Sequence, residues 1–243
     1  MSVTTEQRGP LTVHVFDALR ELNVDAYVTD RFGGVSTGPY ASLNLGDHVG
    51  DDPVAVAANR DLVADAAGAP LVFMRQVHGV EVRDSHLPLG EADALTTTGS
   101  GALCVLVADC VPLVVADSRR LSVVHAGWRG LAAGILPATL AQFDAPSLVR
   151  VGVGPAVSPE TYQVGPEVAT SFGDVPDALR PDAGDRSRLD LRAVVAHQLR
   201  RAGVSPDQVT FAPYVTDGGE VFFSDRAARP CGRFALVARR VVR

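Results

Sequence analysis

The sequence predicts a mixed α/β protein of one domain, with strands outnumbering helices. Three observations carry this. Short apolar runs alternate with helical patterns along the 243 residues. The connections between those runs are too short and irregular for repeated βαβ units, which disfavours a doubly wound nucleotide fold. No linker, repeat of short period or low-complexity tract divides the chain, so residues 1–243 read as a single domain, with 1–20 expected to be loosely ordered.

The elements follow in order. VDAYVT (24–29) reads as a strand, and the glycine-rich RFGGVSTGPY (31–40) supplies tight turns. DDPVAVAANRDLVADAAG (51–68) is a bounded helix, with Asp52 as N-cap, Pro53 in the first helical position and Gly68 as its stop. LVFMRQV (71–77) and VEVRDS (80–85) read as strands. ALCVLVA (102–108) and PLVVAD (112–117) are apolar strands interrupted at DCV, and RLSVVH (120–125) is another. GLAAGILPATLAQF (130–143) has a helical pattern, with a kink or break predicted at Pro137. LVRVGVG (148–154) is a strand. LDLRAVVAHQLRRAG (189–203) is a second clear helix, capped by Asp190 and stopped by Gly203. Strands are predicted near 208–212, 220–224 and 232–242.

Composition narrows the function classes. With 47% hydrophobic and 21% charged residues the chain has an ordinary globular balance and enough core to fold without staples. A net charge of −6 argues against nucleic acid or anionic lipid as a partner held by bulk charge. All 22 basic residues are arginine, which reads as coding bias from a GC-rich genome. The lack of lysine excludes a Schiff base or a Walker-type phosphate lysine. Cys104, Cys110 and Cys231 are odd in number with no CxxC, which fits a reducing compartment better than a disulfide framework. The first residues lack a basic stretch followed by a sustained apolar one, and no run approaches the roughly 20 apolar residues of a membrane span. A soluble, cytoplasmic protein is expected.

VVHAGWRG (123–130) sets an imidazole, the only tryptophan and a guanidinium on glycine-flanked backbone. His125 closes a predicted apolar strand, as do His78 and Cys110 elsewhere. If those strands are neighbours, two imidazoles and a thiolate meet at one rim. Such a set suits zinc and leaves a fourth position for water or substrate, the catalytic pattern. Zinc can lower the pKa of its bound water to roughly 7. The bland alternative is a hydrogen-bonded histidine at each strand end and a core cysteine, and spacing alone favours it. Cys104 reads as core and Cys231 as an incidental thiol. His14, His86 and His197 lack this context; His48 is the other histidine to watch. Arg129 either pairs with a surface carboxylate or binds phosphate or carboxylate bidentately. Asp109 either orients a ligand histidine or caps a turn. Asp93 is a proton acceptor or the turn before a strand.

QVHG (76–79), ADCVP (108–112), HAGWRG (125–130) and GPAVSPETYQVGPEV (154–168) resemble the laccase-domain family, also called polyphenol-oxidase-like or YfiH-like, and GGVSTGPYASLNLGDHVGDDPVAVAANR (33–60) resembles its N-terminal signature. The resemblance implies a single α/β domain built from a duplicated unit, layered α/β/β/α with mixed sheets. It implies metal ligands at His78, Cys110 and His125, for zinc or, in its place, copper. It implies phosphorolysis of adenosine, inosine, guanosine or methylthioadenosine, with adenosine deaminase activity. The older family label is a copper-dependent polyphenol oxidase. The chain departs from the family near its C-terminus, where Ala212 and Pro213 replace a Cys-Thr pair and Asp225 replaces a tyrosine.

On this reading Cys110, His125, Asp109 and Arg129 are the catalytic residues, with Arg129 for the anion. Asn44, Arg60 and Gln76 are expected to contact substrate, Trp128 to fix its loop, and the glycines to let substrate near the backbone. The partners are purine nucleosides and phosphate, and the chain is expected as a monomer or homodimer. The zinc-deaminase signature, HxE with PCxxC, is absent, so deamination would be a separate solution to that chemistry. Three alternatives remain. Copper oxidation of phenols has a two-histidine, one-cysteine stoichiometry in its favour and only six histidines in the chain against it. A hydrolase acting on a peptidoglycan precursor would use Cys110 as nucleophile and His125 as base. A non-catalytic module would use the pocket to sense a nucleotide.

Overall fold

Alternation along the strands builds two six-stranded sheets that face each other. The computed structural model describes residues 2–87 and 90–241. The first sheet runs β1 (Val3–Arg8), β2 (Leu11–Phe16), β3 (Val24–Thr29), β15 (Phe234–Arg240), β7 (Ala102–Val107), β4 (Leu71–Phe73). The second runs β14 (Val209–Phe211), β10 (Arg150–Val153), β8 (Val111–Ala116), β9 (Leu121–Ala126), β6 (Ala94–Thr97), β5 (Val82–Asp84). A small third sheet joins β11 (Gln163–Val164), β13 (Ser187–Leu189) and β12 (Leu179–Pro181). From the β4 and β5 ends, both large sheets begin with one parallel pair and three antiparallel ones, as a duplicated unit would leave; the outermost pairs then differ, β1–β2 being antiparallel and β10–β14 parallel.

The apolar runs are continuous because both sheet faces are covered. In β7, Leu103, Val105 and Val107 point between the sheets, where they meet Val114 of β8 and Val123 of β9. Ala102, Cys104 and Leu106 face the other way, beneath helix α1 (Pro53–Ala67). The outer face of the second sheet is covered by α2 (Trp128–Ala133), α3 (Ile135–Leu140), α4 (Pro166–Ala169) and α5 (Leu191–Arg201). The layers are therefore α/β/β/α. Strands buried on both faces lose the period-two polar signal and become unbroken apolar runs.

Several elements differ from the sequence reading. The segment expected to be loose holds β1 and β2, with β1 on the sheet edge, where its unbroken polar run from Thr4 to Arg8 hid it; Met1 lies outside the described residues, as does Val242 of the expected last strand. The break in 130–143 falls at Gly134, whose φ of 98° is in the left-handed region that glycine tolerates, and not at Pro137, which sits inside the first turn of α3. Residues 220–224 form no strand; Phe222 and Phe223 plug the seam between the sheets without a ladder partner. The expected strand at 71–77 stops at Phe73. The caps of α1 and α5 are as read: Asp52 accepts from Val54 N, and Asp190 from Arg192 N and Ala193 N. No helix among the described residues is long and apolar enough to cross a membrane.

The chain passes from the first sheet to the second twice near one rim. One passage, between β4 and β5, contains His78; the other, between β7 and β8, contains Asp109 and Cys110. β9, which ends at Ala126, carries His125 to the same place.

Candidate metal centre and substrate cleft

The donor atoms of His78, Cys110 and His125 all lie within 4.8 Å of one another, and Cys110 Sγ is 3.8 Å from His78 Nε2. His125 is buried; His78 is exposed to the cleft. Gly127 makes the convergence possible. A Cβ there would stand 2.7 Å from His78 Cδ2 and 3.1 Å from Cys110 Sγ, so this glycine makes room for the donors themselves, whereas the sequence suggested room for substrate.

Asp93 organises the cluster. Its carboxylate is fully buried, and Oδ1 is 2.8 Å from His125 Nδ1. The same carboxylate accepts the backbone N–H of His78 at 2.9 Å and of Gly79 at 2.6 Å. It thus fixes both the histidine of β9 and the loop carrying the other histidine. With Nδ1 held, Nε2 of His125 is the nitrogen left for a ligand. Both roles read for Asp93 are met: it sits in the bend just before β6, and its carboxylate is the acceptor for His125 and the His78 loop. Asp93 immediately precedes the short strand β6, whose pairing with β9 brings it against His125.

Asp109 does not orient a histidine. Its Oδ1 accepts from Thr216 Oγ1 at 2.6 Å and Ser224 Oγ at 2.7 Å, and its Oδ2 from Arg226 N at 2.6 Å. It ties the C-terminal loop to the turn that carries Cys110. The orienting role expected of it belongs to Asp93, because Asp93 abuts β9 whereas Asp109 faces the 216–226 segment.

Electrostatics single out the thiol. Burial resists ionisation of Cys110, but His125 and His78 outweigh it and bring the thiol down to about 6. Burial likewise opposes protonation of His125, yet the Cys110 thiolate and Asp93 raise it to about 9. Burial alone pushes Cys104 far up, in keeping with a core thiol.

The cluster lies in a cleft of about 960 Å³ walled by Phe73, Met74, Trp128 and Tyr162. Arg129 lines it, with its guanidinium 4.4 Å from the centroid of the Trp128 ring and no carboxylate partner among the described residues. Arg60 also lines it, but is engaged with Leu45 O at 2.8 Å and Asp47 at 3.2 Å. Gln76 is there too, with both ends of its amide spent on the Leu106 backbone, at 2.7 and 2.8 Å. His48 stands at the wall beside Asp47. Asn44 is elsewhere: it is fully buried, and its side chain serves Gly46, Asp51 and Arg233 N. Its polar group holds the N-terminal loop to the last strand, so the expected substrate contact is corrected to a structural one. Among the cleft residues that the sequence reading missed are Tyr162 and Arg226, the latter set in an irregular loop with no local pattern to mark it.

The donor set suits a borderline-soft transition ion. Two imidazole nitrogens and a sulfur converge, a carboxylate stands behind one imidazole, and the space a Cβ would fill is kept clear.

Residues 25–240 match the family described as multi-copper polyphenol oxidoreductase laccase. A Streptomyces coelicolor protein named purine nucleoside phosphorylase SCO2081 is 42% identical over 223 residues, covering 85% of this chain and 91% of the relative. A purine nucleoside phosphorylase of Haemophilus influenzae is 36% identical, covering 88% and 93%. Among solved structures, YlmD from Geobacillus stearothermophilus superposes with a TM-score of 0.89 at 30% identity, over 98% of this chain and 99% of that one. A Neisseria meningitidis protein, NMB0706, gives 0.86 at 32% identity over the whole of both chains.

Proposed function

The chain belongs to the multi-copper polyphenol oxidoreductase laccase family, and from that premise we propose that it is a purine nucleoside phosphorylase with zinc-dependent adenosine deaminase activity. The observation that carries this reading is the Arg129 guanidinium, free of any carboxylate among the described residues, in the same cleft as the His78–Cys110–His125 cluster. Relatives named for phosphorolysis give that free cation its meaning.

His78, Cys110 and His125 would hold the ion, with Asp93 fixing His125. When bound, zinc supplies Lewis acidity at the floor of the cleft. Arg129 holds the phosphate. Trp128 and Tyr162 offer aromatic faces to the purine and exclude water from one side. A phosphate oxygen bonds to the anomeric carbon as the bond to the base nitrogen breaks, and that electron pair leaves with the base. Negative charge falls on the attacking phosphate and builds up on the departing base, whose anion the cationic lining of the cleft would stabilise. The free thiols fit a reducing compartment, and we place the protein in the cytoplasm as a monomer or homodimer.

The test incubates the metal-loaded protein with adenosine, with and without phosphate. Adenine and ribose 1-phosphate that need phosphate support phosphorolysis; inosine formed without phosphate supports deamination. Absence of both products would overturn the reading.

A second reading has its own observation. Cys110, His125 and Asp93 also stand as nucleophile, base and orienting acid, with the thiol already drawn down to about 6. A Cys-His hydrolase would use that set. Full metal occupancy in the active enzyme would tie up the thiolate and exclude it.

A further inference from the structure

The cleft is lined by six arginines, Arg60, Arg75, Arg129, Arg226, Arg229 and Arg233. Four are neutralised locally. Arg60 pairs with Asp47 at 3.2 Å, Arg75 with Glu91, and Arg229 and Arg233 share Asp225 at 2.5 and 3.4 Å. Arg129 and Arg226 have no carboxylate within ion-pair distance among the described residues. Each instead lies over an aromatic ring: Arg129 over Trp128 at 4.4 Å, Arg226 over Tyr162 at 5.2 Å.

These two cations serve one volume. The Tyr162 phenol is within electrostatic reach of Arg226, Arg129 and Cys110 together. Arg226 is also fixed in place. Its backbone N–H donates to Asp109 Oδ2 at 2.6 Å, and one terminal nitrogen donates to Gln163 O at 3.3 Å. The remaining guanidinium N–H groups are uncommitted. In a protein of net charge −6, leaving these two cleft cations unpaired marks a place for an anion.

We infer that Arg226 and Arg129 flank Tyr162 as a two-guanidinium clamp for inorganic phosphate, with Asp109 as the residue that positions Arg226. This rests on the phosphorylase reading for its role in turnover, but not for the binding itself. Two guanidiniums offer a phosphate more than one bidentate contact, which a single arginine cannot. Asp109 thereby gains a function its sequence position did not suggest.

The test titrates inorganic phosphate into the purified protein by calorimetry. Arg226→Gln and Arg129→Gln are each expected to weaken phosphate binding about tenfold, the loss of a charge-assisted contact. Arg226→Lys recovers part of it. Arg229→Gln removes the same charge from the same loop, but from a guanidinium already paired, and leaves the affinity unchanged. In turnover, Arg226→Gln raises KM for phosphate, leaving KM for adenosine and phosphate-independent inosine formation as they were. Asp109→Asn raises the phosphate KM in the same direction and adds little in the double variant with Arg226→Gln. Wild-type phosphate affinity in Arg226→Gln would overturn the clamp, as would an equal loss in Arg229→Gln or failure of the parent protein to bind millimolar phosphate. Phosphate bound without any phosphorolysis would leave the clamp standing and overturn the phosphorylase reading alone.

Discussion

Asp93 and His125 are 32 residues apart in sequence, and their carboxylate and imidazole meet at 2.8 Å with both side chains buried. β6 and β9 lie side by side, so the residue just before one strand reaches the residue near the end of the other. The same carboxylate takes the backbone N–H groups of the His78 loop.

Asp93→Asn should lower zinc affinity by about 10- to 100-fold, the usual cost of removing an orienting partner of a ligand histidine. The amide nitrogen would also face donors it cannot accept from. Zinc competition with a chromophoric chelator measures this, and unchanged affinity would refute the orienting role.

Gly127→Ala tests the cradle. The new Cβ would meet His78 and Cys110 at 2.7 and 3.1 Å, forcing the donors apart. Metal content should fall toward that of His125→Ala, with the circular dichroism spectrum preserved. Full metal occupancy in Gly127→Ala would show that the donors can move aside.

In metal-free protein, Cys110 should react with iodoacetamide with a midpoint near pH 6, because the thiolate prevails above that value. Cys104 should stay unlabelled in the native state, since burial pushes its thiol up. Peptide mapping distinguishes them, and a Cys110 midpoint above pH 8 would contradict the electrostatics given for the site.

Burial pushes the Asp30 carboxyl up to about 6, against the hydrogen bond from Phe32 N at 2.8 Å. The folded state therefore disfavours the ionised form. The group's contribution to stability is fully present below about pH 4 and is lost as pH rises through about 6. Asp30→Asn keeps the acceptor for Phe32 and should gain on the order of 2 kcal/mol at pH 7.5, shrinking toward zero at pH 4. Denaturant melts at both values check it; an equal shift at both would reject the assignment.

Asn44→Ala should act on stability and not on substrate binding. It strands the Gly46 and Arg233 N–H groups and takes one of three donors from the Asp51 carboxylate, at a cost of roughly 1–3 kcal/mol. The folded variant should keep its KM. A raised KM with an unchanged melting temperature would restore Asn44 as a substrate ligand.

What the sequence disclosed follows physical range. His78, Cys110 and His125 each sit where an apolar run breaks, a local signature. So do the caps of α1 and α5, which depend on residues two or three apart. Choosing between Asp93 and Asp109 required strand pairing: adjacency to Cys110 favoured Asp109, while the β6–β9 register placed Asp93 against His125. Arg226 was hidden for the same reason, since the ties from Asp109 to Ser224 and to Arg226 span 115 and 117 residues. β1 escaped notice because an edge strand keeps polar residues on an exposed side.

His78 and Cys110 both ride on segments that carry the chain from one large sheet to the other, and His125 belongs to the second sheet. An ion gripped by this trio is therefore a rivet through the middle of the sandwich as well as a reagent. Its binding energy is shared between chemistry and cohesion, so loading should make the two sheets come apart as one unit and at higher temperature. Chelation would then loosen a seam, and lost activity and lost thermal tolerance should track one another as metal is withdrawn.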